Sequence, residues 1–279
     1  MKTAFTLFII CFFVYSSSAQ PGTLDSSFGA NGKVTTFNSS GYFFPYDAAI
    51  QQDGKLLFAG AGSLTVDNGI TGGMFALRYN ADGKIDSSFG INGRTEHDFK
   101  NFYNTNFNPL TIQKDKKIVL AGSGADNPFK DISYDSVLLT RLKPDGSLDS
   151  SFGINGEVIT SVKNKNDGPL IRDVIVQADG KILVAGSRGP DFLILRYTPE
   201  GKLDMSFGGT GFIYTDFTQG IAYITAITLQ PDGKIIAAGK AGEWAALARY
   251  LPDGTLDESF GKTAKHLKHL MLIFHILLQ

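Results

Sequence analysis

An arginine and an aspartate eight residues apart recur four times in this chain: Arg78 and Asp86, Arg141 and Asp149, Arg196 and Asp204, Arg249 and Asp257. With a turn between them, a guanidinium and a carboxylate at this spacing suit a charge-assisted pair whose carboxylate also accepts turn amides. A calcium ion in each repeat is the rival reading, but the alternating aspartates of calcium-binding loops are missing. One active site needs one copy of its residues, so a pair in every repeat reads as scaffold. His97, Glu96 and Glu243 are scattered singles without a nucleophile motif, and His97 reads as an ordinary surface histidine. His266, His269 and His275 have a metal-like spacing but bring no further ligands. No catalytic, cofactor-binding or metal-binding residue is assigned, and no cofactor is expected.

The pairs belong to one phrase. RYTPEGKLDMSFG (196–208) recurs as RYNADGKIDSSFG (78–90), RLKPDGSLDSSFG (141–153) and RYLPDGTLDESFG (249–261), with a clipped copy, PGTLDSSFG, at 21–29. The phenylalanines Phe28, Phe89, Phe152, Phe207 and Phe260 are spaced by 61, 63, 55 and 53 residues. Such a period is the mark of a repeat architecture. Phe89, Phe152, Phe207 and Phe260 are expected to wedge between neighbouring units. The phrase itself is expected to connect one unit to the next.

Each unit reads as four short strands. In the third copy these are EVITSV (157–162), DVIVQ (173–177), KILVA (181–185) and FLILRY (192–197), with Asp179-Gly180 turning the second into the third. Short branched runs bounded by turn residues suit buried strands, and Asp-Gly suits a tight hairpin. Lys116 replaces the turn glycine in the second copy, so that hairpin needs another turn type or accepts strain. Tandem four-stranded antiparallel units predict an all-β fold, a β-propeller of about four blades. A stacked β-helix is the rival, disfavoured by the tight hairpins. Four blades fall within the range of closed propellers, and an open or incomplete arc is the alternative.

The phrase, taken with QxDGKIxxAG as in QPDGKIIAAG (230–239), resembles the delta-60 repeat of secreted bacterial proteins, over residues 21–261. That resemblance implies a β-propeller and carries no settled biochemical activity.

Residues 1–19 read as a signal peptide: a basic Lys2, an apolar run over 4–15, and small residues up to Ala19. The repeat domain is set at 20–261 and an atypical tail, out of step with the repeat, at 262–279. The expected location is outside the cell, at the cell surface or in the periplasm, with no stable membrane span after signal cleavage. Cys11 lies in the apolar run, so the remaining chain must rely on core burial rather than disulfides. A formal net charge of −1 gives no basic footprint for nucleic acid.

Function is expected where the repeats differ. Connections in a meander alternate between two ends, which places the repeated turns and phrases at one end. The variable stretches 38–46, 62–73, 122–135 and 163–172 fall at the other. Two stretches are aromatic, offering Tyr42, Phe43, Phe44, Tyr46, Phe102 and Tyr103 as candidate binding residues. The reading that follows is a binding or scaffold module for a protein or glycan ligand. The alternatives are a propeller hydrolase or lyase with a channel site, and a non-functional fragment of a longer repeat protein.

Overall fold

The computed structural model describes residues 22–36, 43–66, 69–99, 102, 104–125, 134–162, 168–218, 220–261 and 265–269. Among them there is no helix. Sixteen strands form four sheets of four, each an antiparallel meander. The first sheet is β1 (Phe43–Ile50), β2 (Leu56–Val66), β3 (Gly69–Tyr79) and β4 (Arg94–Asp98). The second is β5 (Asn104–Ile112), β6 (Ile118–Ala125), β7 (Ser136–Leu142) and β8 (Glu157–Ser161). The third is β9 (Pro169–Val176), β10 (Ile182–Arg188), β11 (Asp191–Tyr197) and β12 (Phe212–Thr215). The fourth is β13 (Ala222–Leu229), β14 (Ile235–Ala241), β15 (Trp244–Tyr250) and β16 (Lys265–His269).

The sheets are the blades of a β-propeller. Strands β1, β5, β9 and β13 lie innermost and pack on one another in sequence. Among the described residues the first and fourth blades make no comparable packing, which leaves the arc open. Between blades the core is apolar and tight. Leu57, Ala59, Met74 and Ala76 of the first blade meet Leu110, Ile118, Leu120 and Leu138 of the second. Leu183, Ala185, Phe192 and Ile194 of the third meet Ile224, Ile235, Ala237 and Ala248 of the fourth. Alternate residues of each strand thus face opposite neighbours, as the two-residue period of a strand requires.

The grouping of strands corrects the sequence reading. The strand after each phrase pairs with the strand before it, as β3 with β4 and β11 with β12. The phrase therefore joins the third and fourth strands of one blade, and the variable links 99–103, 162–168 and 216–221 connect blades. Several stretches read as variable loops are also strands. Gly62 to Val66 and Gly69 to Gly73 extend the β2–β3 hairpin, and 169–172 and 43–46 open β9 and β1. Lys265–His269, within the stretch set apart as a tail, pairs with β15 from Ala248↔Lys265 to Trp244↔His269.

Two local features account for repeated residues. Each inner strand carries a bulge, between Pro45 and Asp47, Phe107 and Leu110, Ala185 and Gly186 (against β9), and Ile224 and Ala226. The bulge drives the inner strand against the glycine of the AG pair. A Cβ on Gly186 would lie 1.9 Å from the Leu170 carbonyl oxygen, and one on Gly239 1.9 Å from that of Tyr223. Lys116 keeps the turn of its glycine counterparts. Its N–H donates to the Gln113 carbonyl at 2.9 Å, as Gly54 does to Gln51, and its φ is +67°. Strain is accepted there rather than a new turn type.

Candidate functional site

The repeated end of the arc is a chain of identical joints. In the second blade, Asp149 Oδ2 accepts from Arg141 Nε at 2.8 Å and pairs with Lys117 Nζ at 3.2 Å. Its Oδ1 accepts from the Ser151 amide and hydroxyl at 3.2 and 2.7 Å. The Arg141 guanidinium stands 4.4 Å from the Phe152 ring centroid, a cation–π contact. Asp86, Asp204 and Asp257 repeat the pattern with Arg78 and Lys55, Arg196 and Lys181, and Arg249 and Lys234. Burial opposes ionisation of Asp86, Asp149 and Asp204. The hydrogen bonds from serine and lysine, with the arginine charge or hydrogen bond, outweigh it and hold each carboxyl well below the usual range. At Asp257 the Ser259 hydroxyl is the largest cause of the same lowering, followed by Lys234. The lysines were not found in the sequence because they enter from the second-strand turn; Lys55 stands 31 residues before Asp86.

Each joint also grips the next blade. Arg78 Nη1 donates to the Pro144 carbonyl at 2.5 Å, Arg141 Nη1 to Pro199 at 2.6 Å, and Arg196 Nη1 to Pro252. The phrase glycines follow suit: Gly90 N–H donates to the Asp145 carbonyl, Gly153 to Glu200 and Gly208 to Asp253. Phe89, Phe152 and Phe207 are fully buried against the next turn glycine. Burying one such ring stabilises by about 2–3 kcal/mol. Phe260, which no turn glycine covers among the described residues, is half-buried. These carboxylates are engaged by arginine and lysine, so their charge is balanced within the joints of the arc.

The other end holds the candidate binding residues, and the structure divides them. Phe44 and Tyr46 on β1 are 57% and 55% exposed, their ring centroids 6.5 Å apart. Phe43 is half-buried on Phe75 at 4.3 Å. Phe102 is a correction: at 7% exposure it belongs to the core between the first two blades. Tyr42 and Tyr103 lie outside the described residues. The bulges set Tyr46, Arg172 and Thr225 at one level on three inner strands, all exposed. The Arg172 guanidinium lies 5.0 Å from the Tyr223 ring centroid. Tyr134 sits close by; burial raises its phenol above the ordinary value, and Tyr46 adds to the shift. Arg172 and Tyr134 fall in stretches expected to carry function but are not singled out by sequence, and Tyr223 is missed, because a bulge cannot be seen in a run such as PLIRDVIV.

Two carboxylates bridge inner strands. Asp47 Oδ2 accepts from the Leu110 amide at 2.9 Å, and Asp173 Oδ2 from the Ile227 amide at 2.6 Å. Burial raises the Asp173 carboxyl, and the charge of Asp47 adds to it against the Ile227 and Val174 amides. The scattered polar singles do not converge. His97 is a second correction: its side chain is only 13% exposed, and Nε2 meets Glu157 Oε1 at 2.6 Å across the first two blades. Glu96 pairs with Arg94, and Glu243 lies beside Lys240.

Comparison with known proteins bears on the architecture. No curated protein is similar to this chain in sequence. The gluconolactonase of Xanthomonas campestris superposes with a TM-score of 0.36 at 13% identity, over 80% of this chain and 61% of its own. The β-fructofuranosidase of Bombyx mori gives 0.37 at 16%, over 72% and 43%. The hydrazine synthase of Kuenenia stuttgartiensis gives 0.39 at 11%, over 72% and 27%. The chain thus spans less than two thirds of these proteins' length, and no activity is carried over from them. A family described as a domain of unknown function (DUF5122) beta-propeller matches residues 51–89, 113–152, 177–207 and 230–260, half of the chain. Each match runs from the glutamine before the second-strand turn to the phrase phenylalanine. The chain belongs to this family of β-propeller repeat proteins.

Proposed function

We propose that this chain is an extracellular binding module that holds a glycan or protein ligand at the end of the arc opposite its repeated phrases. The carrying observation is the exposed Phe44–Tyr46 pair on an inner strand, beside the level at which Arg172 stands over Tyr223. Exposed aromatic faces stack on sugar rings or anchor a partner's side chains, and a guanidinium adds a charged, hydrogen-bonding edge. The opposite end has its charges committed to its own joints. The leader-like residues 1–19 and the likeness of the repeated phrase to the delta-60 repeat support an extracellular setting. The enzyme reading would rest on Asp173, but both its carboxylate oxygens already accept backbone amides.

The test is a screen of the immobilised chain against a glycan array and against cell-surface protein extracts. Any ligand found is then titrated against Phe44→Ala, Tyr46→Ala and Arg172→Ala. Each should weaken binding about tenfold or more, as anchor residues do, with the melting temperature unchanged. Undiminished binding by all three variants sinks the proposal.

A further inference from the structure

Residues 22–36 sit on the first blade as the closing part of one blade sits on the next. Gly29 N–H donates to the Asp82 carbonyl at 2.9 Å, the bond that Gly90, Gly153 and Gly208 make at later joints. The Phe28 ring meets Gly83, as Phe89 meets Gly146. The Thr36 and Tyr79 hydroxyls are bonded, as Thr160 of β8 is to Tyr197 and Thr215 of β12 is to Tyr250. By every one of these contacts, residues 33–36 occupy the place of an outer fourth strand. Yet they pair with no sheet, and make only local bridges at Gly29, Ala30 and Lys33. Among the described residues, no three strands of a blade lie beside them.

Those strands would fill the open side of the first blade. A groove of ≈ 870 Å³ lies there, walled by Val34, Thr36, Phe43, Leu77 and Tyr79. The matching surface is the outward face of the fourth blade. Ile236, Ala238, Ala245 and Leu247 are only half-buried on it, whereas their counterparts Leu183, Ala185, Phe192 and Ile194 in the third blade are 0–1% exposed. Arg249 completes this face: its Nε and Nη2 bond Asp257 and Ser259, and its Nη1 meets no carbonyl among the described residues.

The turn code singles out the strand that belongs beside β15. Blades one and two enter their fourth strand through Gly-Ile-Asn-Gly, with Asn92 and Asn155 at φ +54° and +55° and Gly93 and Gly156 at +88° and +96°. Residues 29–32 read Gly-Ala-Asn-Gly, with Asn31 at +53° and Gly32 at +80°. Before β16 the sequence is Gly-Lys-Thr-Ala, without the asparagine and glycine that favour this conformation.

We propose that residues 29–36 are the fourth strand of the fourth blade of a second copy of this chain, replacing β16 there. The register of β11 with β12 sets Thr36 opposite Ala245 and Val34 opposite Leu247, the places that Lys268 and His266 take in β16. A second copy is the occupant because β1 and β13 of one chain do not pack together, while the two open faces repeat the chemistry of the three internal joints. The interface is heterologous, head to tail. Exchange in both directions joins two four-bladed arcs into an eight-bladed ring, within the range that propellers use.

The test uses the full chain with Cys11→Ser. Light scattering and native mass spectrometry at micromolar concentration should give twice the monomer mass or a longer head-to-tail species. Val34→Cys and Leu247→Cys variants, oxidised together, should form a disulfide-linked heterodimer that neither forms alone. In a Val34→Cys/Leu247→Cys double variant the cross-link should join two chains. A cross-link within one chain overturns the proposal, because the strand is then seated on its own fourth blade. A monomeric mass with no cross-link overturns it as well.

Discussion

Arg141 Nη1 donates to the carbonyl oxygen of Pro199 at 2.6 Å, 58 residues further on and in the next blade. The same guanidinium holds Asp149 through Nε at 2.8 Å. One side chain thus ties a blade together and ties it to its neighbour. Arg141→Ala should destabilise the fold by about 3 kcal/mol, because Asp149 is left buried with a single cationic partner. Arg249→Ala, whose Nη1 reaches no carbonyl of its own chain among the described residues, should cost about 1 kcal/mol in dilute, monomeric solution. Urea denaturation of the two variants side by side checks the difference, and equal losses would contradict this account of the joint.

The low carboxyls of Asp86, Asp149 and Asp204 set the response to acid. In the unfolded chain an aspartate titrates near 3.9, about as in model peptides. The folded value is lower, so the unfolded state binds more protons as acid is added. The stability they contribute is complete above about pH 5 and drains away as pH falls through about 4 towards the folded value. Asp149→Asn should therefore be less stable than the parent chain at neutral pH. The gap between the two should narrow as pH drops from about 5 to 2. Melting temperatures across that interval read it directly.

Lys116 holds a backbone φ of +67° at a place where the other three copies have glycine. A left-handed conformation costs an L-residue about 1 kcal/mol. Lys116→Gly should recover up to that amount and raise the melting temperature, with no change in the rest of the fold. A lower melting temperature would show that the lysine side chain stabilises the turn by more than its backbone costs.

Gly186 faces the bulge of β9 so closely that a methyl group would overlap the Leu170 carbonyl. Gly186→Ala should destabilise by about 3 kcal/mol, as overpacking at a backbone contact does. Hydrogen exchange should localise the loss to β9 and β10. An alanine tolerated here without loss would mean that the bulge relaxes freely.

The repeated phenylalanines made the number of blades legible in the sequence. The frame was not. A run of a-b-c-d-a-b-c-d units reads identically whichever strand opens a blade, and only the pairing of β11 with β12 shows that the phrase lies within a sheet. Arg78 and Asp86 could be matched because they are eight residues apart; Lys55 completes their site from another turn, a distance that no local pattern spans. Phe44 and Phe102 look alike as loop aromatics. One is open and one is core, because Phe102 packs with Phe99 in the core between two blades while β1 carries Phe44 to the surface.

Every joint in the arc points one way. The arginine reaches forward to a proline carbonyl, the phrase glycine forward to an acidic residue's carbonyl, and the phenylalanine forward to a glycine. Such a coupling is indifferent to how many units it links. Duplicating one unit in the gene lengthens the row and alters no residue at an existing junction; excising one shortens it just as cleanly. The design of a blade can therefore be inherited unchanged while the tally of blades drifts between relatives.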